Sequence, residues 1–87
     1  MTSGQPSHDQ QRTRNDVRAR EFTAQLAEVA RSLAETATEI ADRLEHRAAL
    51  APLHADALLQ QARRTREFAK YQRGEAERWE QTAERLR

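Results

Sequence analysis

The hydrophobic residues in the first half of the chain recur at the spacing of an α-helix face. Successive members are three or four residues apart, which places their side chains on one side of a helix. They are Phe22, Leu26, Val29, Leu33, Ala37, Ile40, Leu44 and Ala48. The pattern predicts a long amphipathic helix over residues 14–50.

Pro52 interrupts this periodicity. Proline lacks an N–H and disfavours helical geometry at the preceding Ala51, so a helix continuing through it would cost about 3 kcal/mol. We therefore expect a turn near residue 51 and a second helix over residues 52–86, similar in length to the first. The predicted fold class is all-α, an antiparallel two-helix hairpin. A continuous helix forming a swapped dimer would make the same contacts in trans, and Pro52 favours the hairpin.

Residues 1–12 contain one glycine, one proline and no large apolar residue after Met1. Such a segment buries too little surface to offset the entropy of ordering, so we expect a disordered tail. Thr13 and Asp16 then resemble a helix start, with the Thr13 hydroxyl accepting a hydrogen bond from a first-turn N–H.

Alanine recurs at every seventh residue through both predicted helices. The nine positions are 27, 34, 41, 48, 55, 62, 69, 76 and 83. Small residues at one seam position let helix backbones approach closely, as in a coiled coil. The larger apolar residues form a second stripe beside the alanines, and the two stripes together cover an arc of roughly 160°. One partner helix cannot cover this arc, so we expect dimerisation or another protein to complete a four-helix bundle.

A turn near residue 51 also predicts which positions face each other. Large residues would meet small ones: Leu26 with Ala76, Leu33 with Ala69, Ile40 with Ala62, and Phe22 near Trp79. Charges would be complementary, with Glu28, Glu35 and Glu39 near Arg73, Arg66 and Arg63, and Arg18 near Glu84. Exposed ion pairs contribute little stability, so we expect them to select the register.

Composition excludes several kinds of chemistry. The 87 residues include no cysteine and two glycines, which leaves no disulfide, thiol nucleophile or Gly-rich phosphate loop. No serine has a histidine and an acid in a catalytic pattern, and His46 and His54 near the turn match no metal motif. We expect a non-enzymatic protein without cofactor or metal.

Location and source are predicted from composition alone. No apolar run approaches the ~20 residues that span a bilayer, so we expect a soluble, cytoplasmic protein, with secretion left open. Sixteen alanines and fourteen arginines are typical of a GC-rich bacterial genome.

The favoured function is a protein–protein interaction or assembly module, whose partner is a second copy, an unidentified protein or both. The candidate interface comprises the large apolar residues, with Tyr71 set to one side of their stripe. These residues are Phe22, Leu26, Val29, Leu33, Ile40, Leu44, Phe68, Tyr71 and Trp79.

A nucleic-acid-associated protein is the alternative, because basic residues form an amino-terminal arm and a ridge on the second helix. These possible contacts with phosphate or an acidic partner are Arg12, Arg14, Arg18, Arg63, Arg64, Arg66, Lys70 and Arg73. Residues 21–60 carry seven acidic and three basic side chains. We therefore expect the ridge to be neutralised largely within the hairpin.

The segment Tyr71-Gln72-Arg73-Gly74-Glu75 is similar to the Tyr-x-x-x-Asp/Glu secretion pattern of small helical-hairpin proteins of the WXG100 type. This resemblance implies a secreted helical hairpin as a further alternative. The sequence departs from that family because the turn, Leu50-Ala51-Pro52-Leu53, lacks Trp-x-Gly, and because Tyr71 lies inside the second helix instead of after it. The family's function is therefore not transferred.

Overall fold

A computed structural model describes residues 8–86 as an antiparallel helical hairpin. Helix α1 spans His8–Leu50, a short 3₁₀-helix spans Pro52–His54, and helix α2 spans Ala55–Arg85. The part of the chain that the structure describes contains no strand. The molecule measures 79 × 21 × 13 Å. The predicted all-helical hairpin is confirmed, with one connection between two packed helices.

Helix α1 begins at His8, six residues before the predicted start at Arg14. No glycine or proline lies between His8 and Leu50. The negative charge of Asp9 in the first turn interacts favourably with the helix dipole. The predicted function of Thr13 as a cap is wrong, because its Oγ1 donates to the Asp9 carbonyl oxygen at 2.9 Å from within the helix. The predicted tail is thus helical from residue 8, and residues 1–7 lie outside the described residues.

The two helices differ in length, contrary to the prediction. Helix α1 has 43 residues and α2 has 31, so α1 is longer by roughly 18 Å at 1.5 Å per residue. Residues 9–18 are exposed on every side. The amino-terminal end of α1 therefore extends past the end of α2 as a single helix, which we call the overhang.

The turn is longer than a single residue near position 51. Pro52 opens the 3₁₀-helix instead of α2, and the His54 N–H donates to the Ala51 carbonyl oxygen at 3.0 Å. Ala51 has φ −131° and ψ 77°, outside the helical region that proline disfavours at the residue before it. Helix α2 consequently begins at Ala55, three residues later than predicted.

Alanine fills the contact between the helices. Seven of the nine alanines in the seven-residue repeat are buried, namely Ala27, Ala34, Ala41, Ala48, Ala62, Ala69 and Ala76. Ala30, Ala37 and Thr23 are also buried, and the Thr23 hydroxyl is satisfied by donating to the Arg20 carbonyl oxygen at 2.9 Å. The alanine seam predicted from the sequence is confirmed.

The prediction that large residues would pack against alanines across this seam is wrong. Leu33 and Ile40 are each 43% exposed, and Phe22 is 61% exposed. Because both helices present alanine, the backbones approach at the seam and leave no room there for larger side chains. The large residues lie at the edge of the contact.

The charge register also differs from the prediction. Arg66 bonds to Asp42 and Glu45, which lie two to three helical turns nearer the hairpin turn than Glu35. Glu28 bonds to Arg31 on its own helix, and Arg73 bonds to Thr38. The four residues between α1 and α2 move the centre of the hairpin beyond residue 51, which shifts every facing pair.

Candidate functional site

The hairpin has two different sides, and helical geometry assigns the residues to them. On α1, at 100° per residue, the large apolar residues lie about a quarter turn to one side of the buried alanines, and the residues that bond across to α2 lie on the other. The same order occurs on α2. In an antiparallel pair of right-handed helices, residues that are rotated in the same direction from the contact line of their own helix lie on the same side of the pair. The large residues of both helices therefore share one side.

We call this side the apolar face. It is formed by six residues of α1 and four at the carboxyl half of the chain: Phe22, Leu26, Val29, Leu33, Ile40, Leu44, Leu58, Phe68, Trp79 and Leu86. Val29 is 57% exposed and Phe68 is 46% exposed. No side chain larger than alanine or threonine is buried in the part of the chain that the structure describes. The hairpin thus leaves its largest apolar residues partly in solvent.

The positions between these apolar residues are mostly uncharged, although a third of the chain is charged. Thr65 and Gln72 lie on the α2 half of the apolar face. Glu75 is its acidic exception, and its carboxylate accepts a hydrogen bond from Arg78. This bond, assisted by one from Tyr71, holds the pKa of Glu75 below its ordinary value. Apart from the exposed Arg47, which follows Leu33 and Ile40 at the same seven-residue spacing, the apolar face therefore presents little unpaired charge.

The opposite side carries the ion pairs, and we call it the ion-paired face. Near the turn, Arg66 donates from Nε and Nη2 to the two carboxylate oxygens of Glu45, both at 2.8 Å. Its Nη2 also donates to Asp42 Oδ1 at 2.7 Å. The Arg66 hydrogen bonds lower the pKa of Glu45, and the same contacts raise the pKa of Arg66. This cluster joins the two helices close to the turn.

Two further contacts join the helices on the ion-paired face. Arg73 Nη2 donates to Thr38 Oγ1 at 2.8 Å. Arg31 forms an ion pair with Glu80 of α2 and with Glu28 of its own helix, the latter at 2.6 Å. These contacts continue along the hairpin, so the polar groups that join the helices on the ion-paired face have their partners within one chain.

The structure divides the predicted basic residues into two groups. Arg66 and Arg73 bond within the hairpin. The remaining six form no ion pair within the described residues and are exposed: Arg12, Arg14 and Arg18 on the overhang, and Arg63, Arg64 and Lys70 on α2. The predicted neutralisation of the ridge is therefore limited to part of it.

Tyr71 stands apart from the other predicted interface residues. It is 59% exposed and lies on the outer side of α2, where it lines a shallow groove with Lys70, Gly74 and Arg78. Its Tyr-x-x-x-Glu segment lies inside α2. The structure therefore does not bring Tyr71 onto the apolar face.

The turn carries exposed apolar residues that the sequence analysis did not select. Leu50 is 72% exposed and Leu53 is 96% exposed. Their position on either side of Pro52, at the predicted turn, is the feature of the sequence that indicates their exposure. His46 and His54 are both exposed, while Asp42 and Glu45 bond to Arg66. No group of His, Cys, Asp or Glu side chains within residues 8–86 is placed to hold a metal ion.

Neither helix of the described chain has an apolar stretch of the length needed to cross a bilayer. No family model, curated protein or solved structure matches the sequence.

Proposed function

We propose that this protein is a non-enzymatic interaction module that docks on protein through its apolar face. The observation that carries the proposal is the mismatch between the core and the surface. Alanine and Thr23 fill the buried contact, whereas Phe22, Val29 and Phe68 are each roughly half exposed. An apolar face of this kind on a water-exposed protein indicates an interaction site.

Stability favours the same interpretation. Burying apolar area contributes roughly 25 cal/mol per Å², and a seam of alanines removes little area from water. Small scaffolds without a disulfide or metal usually gain stability through association. Covering the apolar face would bury the leucines and aromatic residues that the hairpin itself leaves exposed.

Nucleic-acid association is the second candidate function, supported by the overhang. Arg12, Arg14 and Arg18 lie there on a single exposed helix and form no ion pair within the described residues. They do not share one side of the helix, and Asp9 and Asp16 lie among them. This arrangement favours phosphate binding less than a continuous basic stripe would.

A pull-down comparing two matched variants tests the proposal. The tagged chain, Leu33→Asp and Gln60→Asp are expressed in the source cells, and captured material is compared with and without nuclease. Both substitutions add one negative charge, but Leu33 lies on the apolar face and Gln60 is exposed on the back of α2. We expect a protein partner, which can be the untagged chain itself, to survive nuclease, to be lost with Leu33→Asp and to be kept with Gln60→Asp.

The two other outcomes oppose the proposal. Loss of all partners on nuclease treatment would favour the nucleic-acid alternative, and a steep fall in binding with added salt would then be expected. Equal capture by Leu33→Asp and the unchanged chain would show that the apolar face does not dock.

A further inference from the structure

We propose that the occupant of the apolar face is the same face of a second copy, related by a two-fold axis that passes through Leu33 of α1 and Gln72 of α2. This inference rests on the proposed function and names its partner. The product is a four-helix bundle in which α1 packs antiparallel to α1 of the partner copy and α2 packs antiparallel to its α2.

Four of the five other α1 residues of the apolar face are spaced equally in both directions from Leu33, while the fifth, Val29, has the buried Ala37 as its counterpart. Phe22 and Leu44 lie eleven residues away on either side, and Leu26 and Ile40 lie seven residues away. An antiparallel contact centred on Leu33 therefore places Phe22 of each copy against Leu44 of the other, and Leu26 against Ile40. A two-fold interface requires this kind of self-complementary pattern.

Gln72 is a second centre for part of the α2 apolar residues, since Phe68 has the buried Ala76 as its counterpart. Leu58 and Leu86 lie fourteen residues away on either side, and Thr65 and Trp79 lie seven residues away. An antiparallel contact there pairs leucine with leucine and sets the large indole against a small side chain. Gln72 would meet its own copy, and an amide offers both donors and an acceptor.

Counted from the turn, the two centres lie equally far along their helices. Leu33 is seventeen residues before the end of α1 at Leu50, and Gln72 is seventeen residues after the start of α2 at Ala55. One axis can therefore pass through both. Because the apolar residues of both helices lie on one side of the hairpin, a single rotation brings both pairs of helices into contact.

The size of the apolar face matches a stable interface. From Phe22 to Leu44 it extends about 33 Å at 1.5 Å per residue, and the hairpin is 21 Å across. The product is a projected area of roughly 700 Å², of the same order as the ~800 Å² of accessible surface that each partner contributes to a typical stable interface. The chain also exposes 7164 Å², compared with about 5,200 Å² for a compact protein of this mass.

One oppositely charged pair at the border agrees with this packing, whereas Arg47 of one copy comes to the height of Ala19, beside Arg18 of the other. Glu21 and Arg43 lie at the outer edge of the apolar face on α1 and form no ion pair within the described residues. The two-fold brings Glu21 of one copy to within about 3 Å of the height of Arg43 of the other. Each copy has a net charge of +1, so long-range repulsion is small.

Cysteine cross-linking tests this arrangement directly, because the chain contains no cysteine. Single-cysteine chains Phe22→Cys and Leu44→Cys are mixed at high concentration and oxidised. We expect the mixed disulfide and little of either homodimer, since a disulfide needs Cα atoms within about 7 Å. In this bundle the two copies of residue 22 are roughly 33 Å apart. Leu33→Cys should cross-link to itself, whereas Glu35→Cys, on the other side of the helix, should not.

Sedimentation of the unchanged chain provides the second measurement, because each cysteine variant removes apolar area. We expect twice the 10.0 kDa chain mass at micromolar to millimolar concentration. A homodimer disulfide of Phe22→Cys would indicate parallel packing and overturn the inference. A monomer at all concentrations would also overturn it, while capture of a different protein that Leu33→Asp abolishes would leave the proposed function standing.

Discussion

Single polar residues join the two helices at defined points. Arg66 makes three hydrogen bonds to Glu45 and Asp42, a geometry in which the planar guanidinium matches a carboxylate in two places. Because these side chains are largely exposed, the cluster selects the register of the hairpin more than it stabilises it.

Glu45→Gln should change how stability depends on pH. The Arg66 hydrogen bonds lower the pKa of Glu45 in the folded state, so the unfolded chain takes up the proton first as the pH falls. The stabilisation is therefore complete above the ordinary carboxyl range and is lost as the pH falls through the lowered pKa. We expect thermal unfolding followed by circular dichroism to show a weaker decline below about pH 4 for the variant.

Glu39→Gln is the matched control for this measurement, because Glu39 is exposed and forms no ion pair within the described residues. If the two variants gave the same pH profile, the Arg66 cluster would not contribute to the pH dependence of stability.

Gly74→Ala should stabilise the protein. Gly74 has no positive φ, and an added Cβ would lie 3.7 Å from Arg78 Nη1, an ordinary contact. Neither the backbone conformation nor a close approach therefore requires glycine at this position. Alanine is favoured over glycine within a helix by about 0.5–1 kcal/mol, so the midpoint of urea unfolding should rise. A fall in that midpoint would indicate that the glycine serves a contact outside the single hairpin.

At the scale of the elements, the alanine seam controls how closely α1 and α2 approach. The buried alanines repeat every seven residues on both helices, so small side chains meet along the contact. Their packing excludes the larger residues and directs them to the apolar face. The seam and the apolar face are therefore two results of one spacing pattern.

Ala34→Leu should be strongly destabilising for this reason. Ala34 is 2% exposed, and three added carbon atoms would force the helices apart at a cost of about 1–3 kcal/mol. Ala49→Leu makes the same change at an exposed position and should have little effect. Chemical unfolding of both variants measures the difference, and equal stabilities would contradict the placement of the seam.

For the molecule as a whole, the elongated shape leaves little interior. The radius of gyration is 21.2 Å, whereas a compact domain of 87 residues has about 12 Å. A hairpin of this shape cannot enclose large side chains between only two helices. Its stability is therefore expected to depend on what covers the apolar face.

Leu33→Asp should consequently act through assembly. Leu33 is 43% exposed in the single hairpin, so the aspartate is tolerated there but is buried when the apolar face is covered. We expect the unchanged chain to melt at higher temperature as its concentration rises. The variant should melt at a lower temperature that does not depend on concentration, with Gln60→Asp behaving like the unchanged chain. A concentration-dependent melting temperature for Leu33→Asp would place the contact elsewhere.

The sequence by itself determined the helices, the turn at proline and the alanine seam. These features depend on local rules: three-to-four spacing, the missing N–H of Pro52, and small residues at every seventh position. They involve residues close together in the chain, so each could be predicted without knowing the fold.

Tertiary structure decided the register, the length of the overhang and the position of the large residues. A turn of four residues instead of one shifts every facing pair, so Arg66 meets Asp42 and Glu45 and not Glu35. The rotation of each helix about its axis is set by the best packing of both alanine rows together. That rotation places Leu33 and Phe68 on one exposed side and Tyr71 on another, because side-chain position around a packed helix depends on both partners.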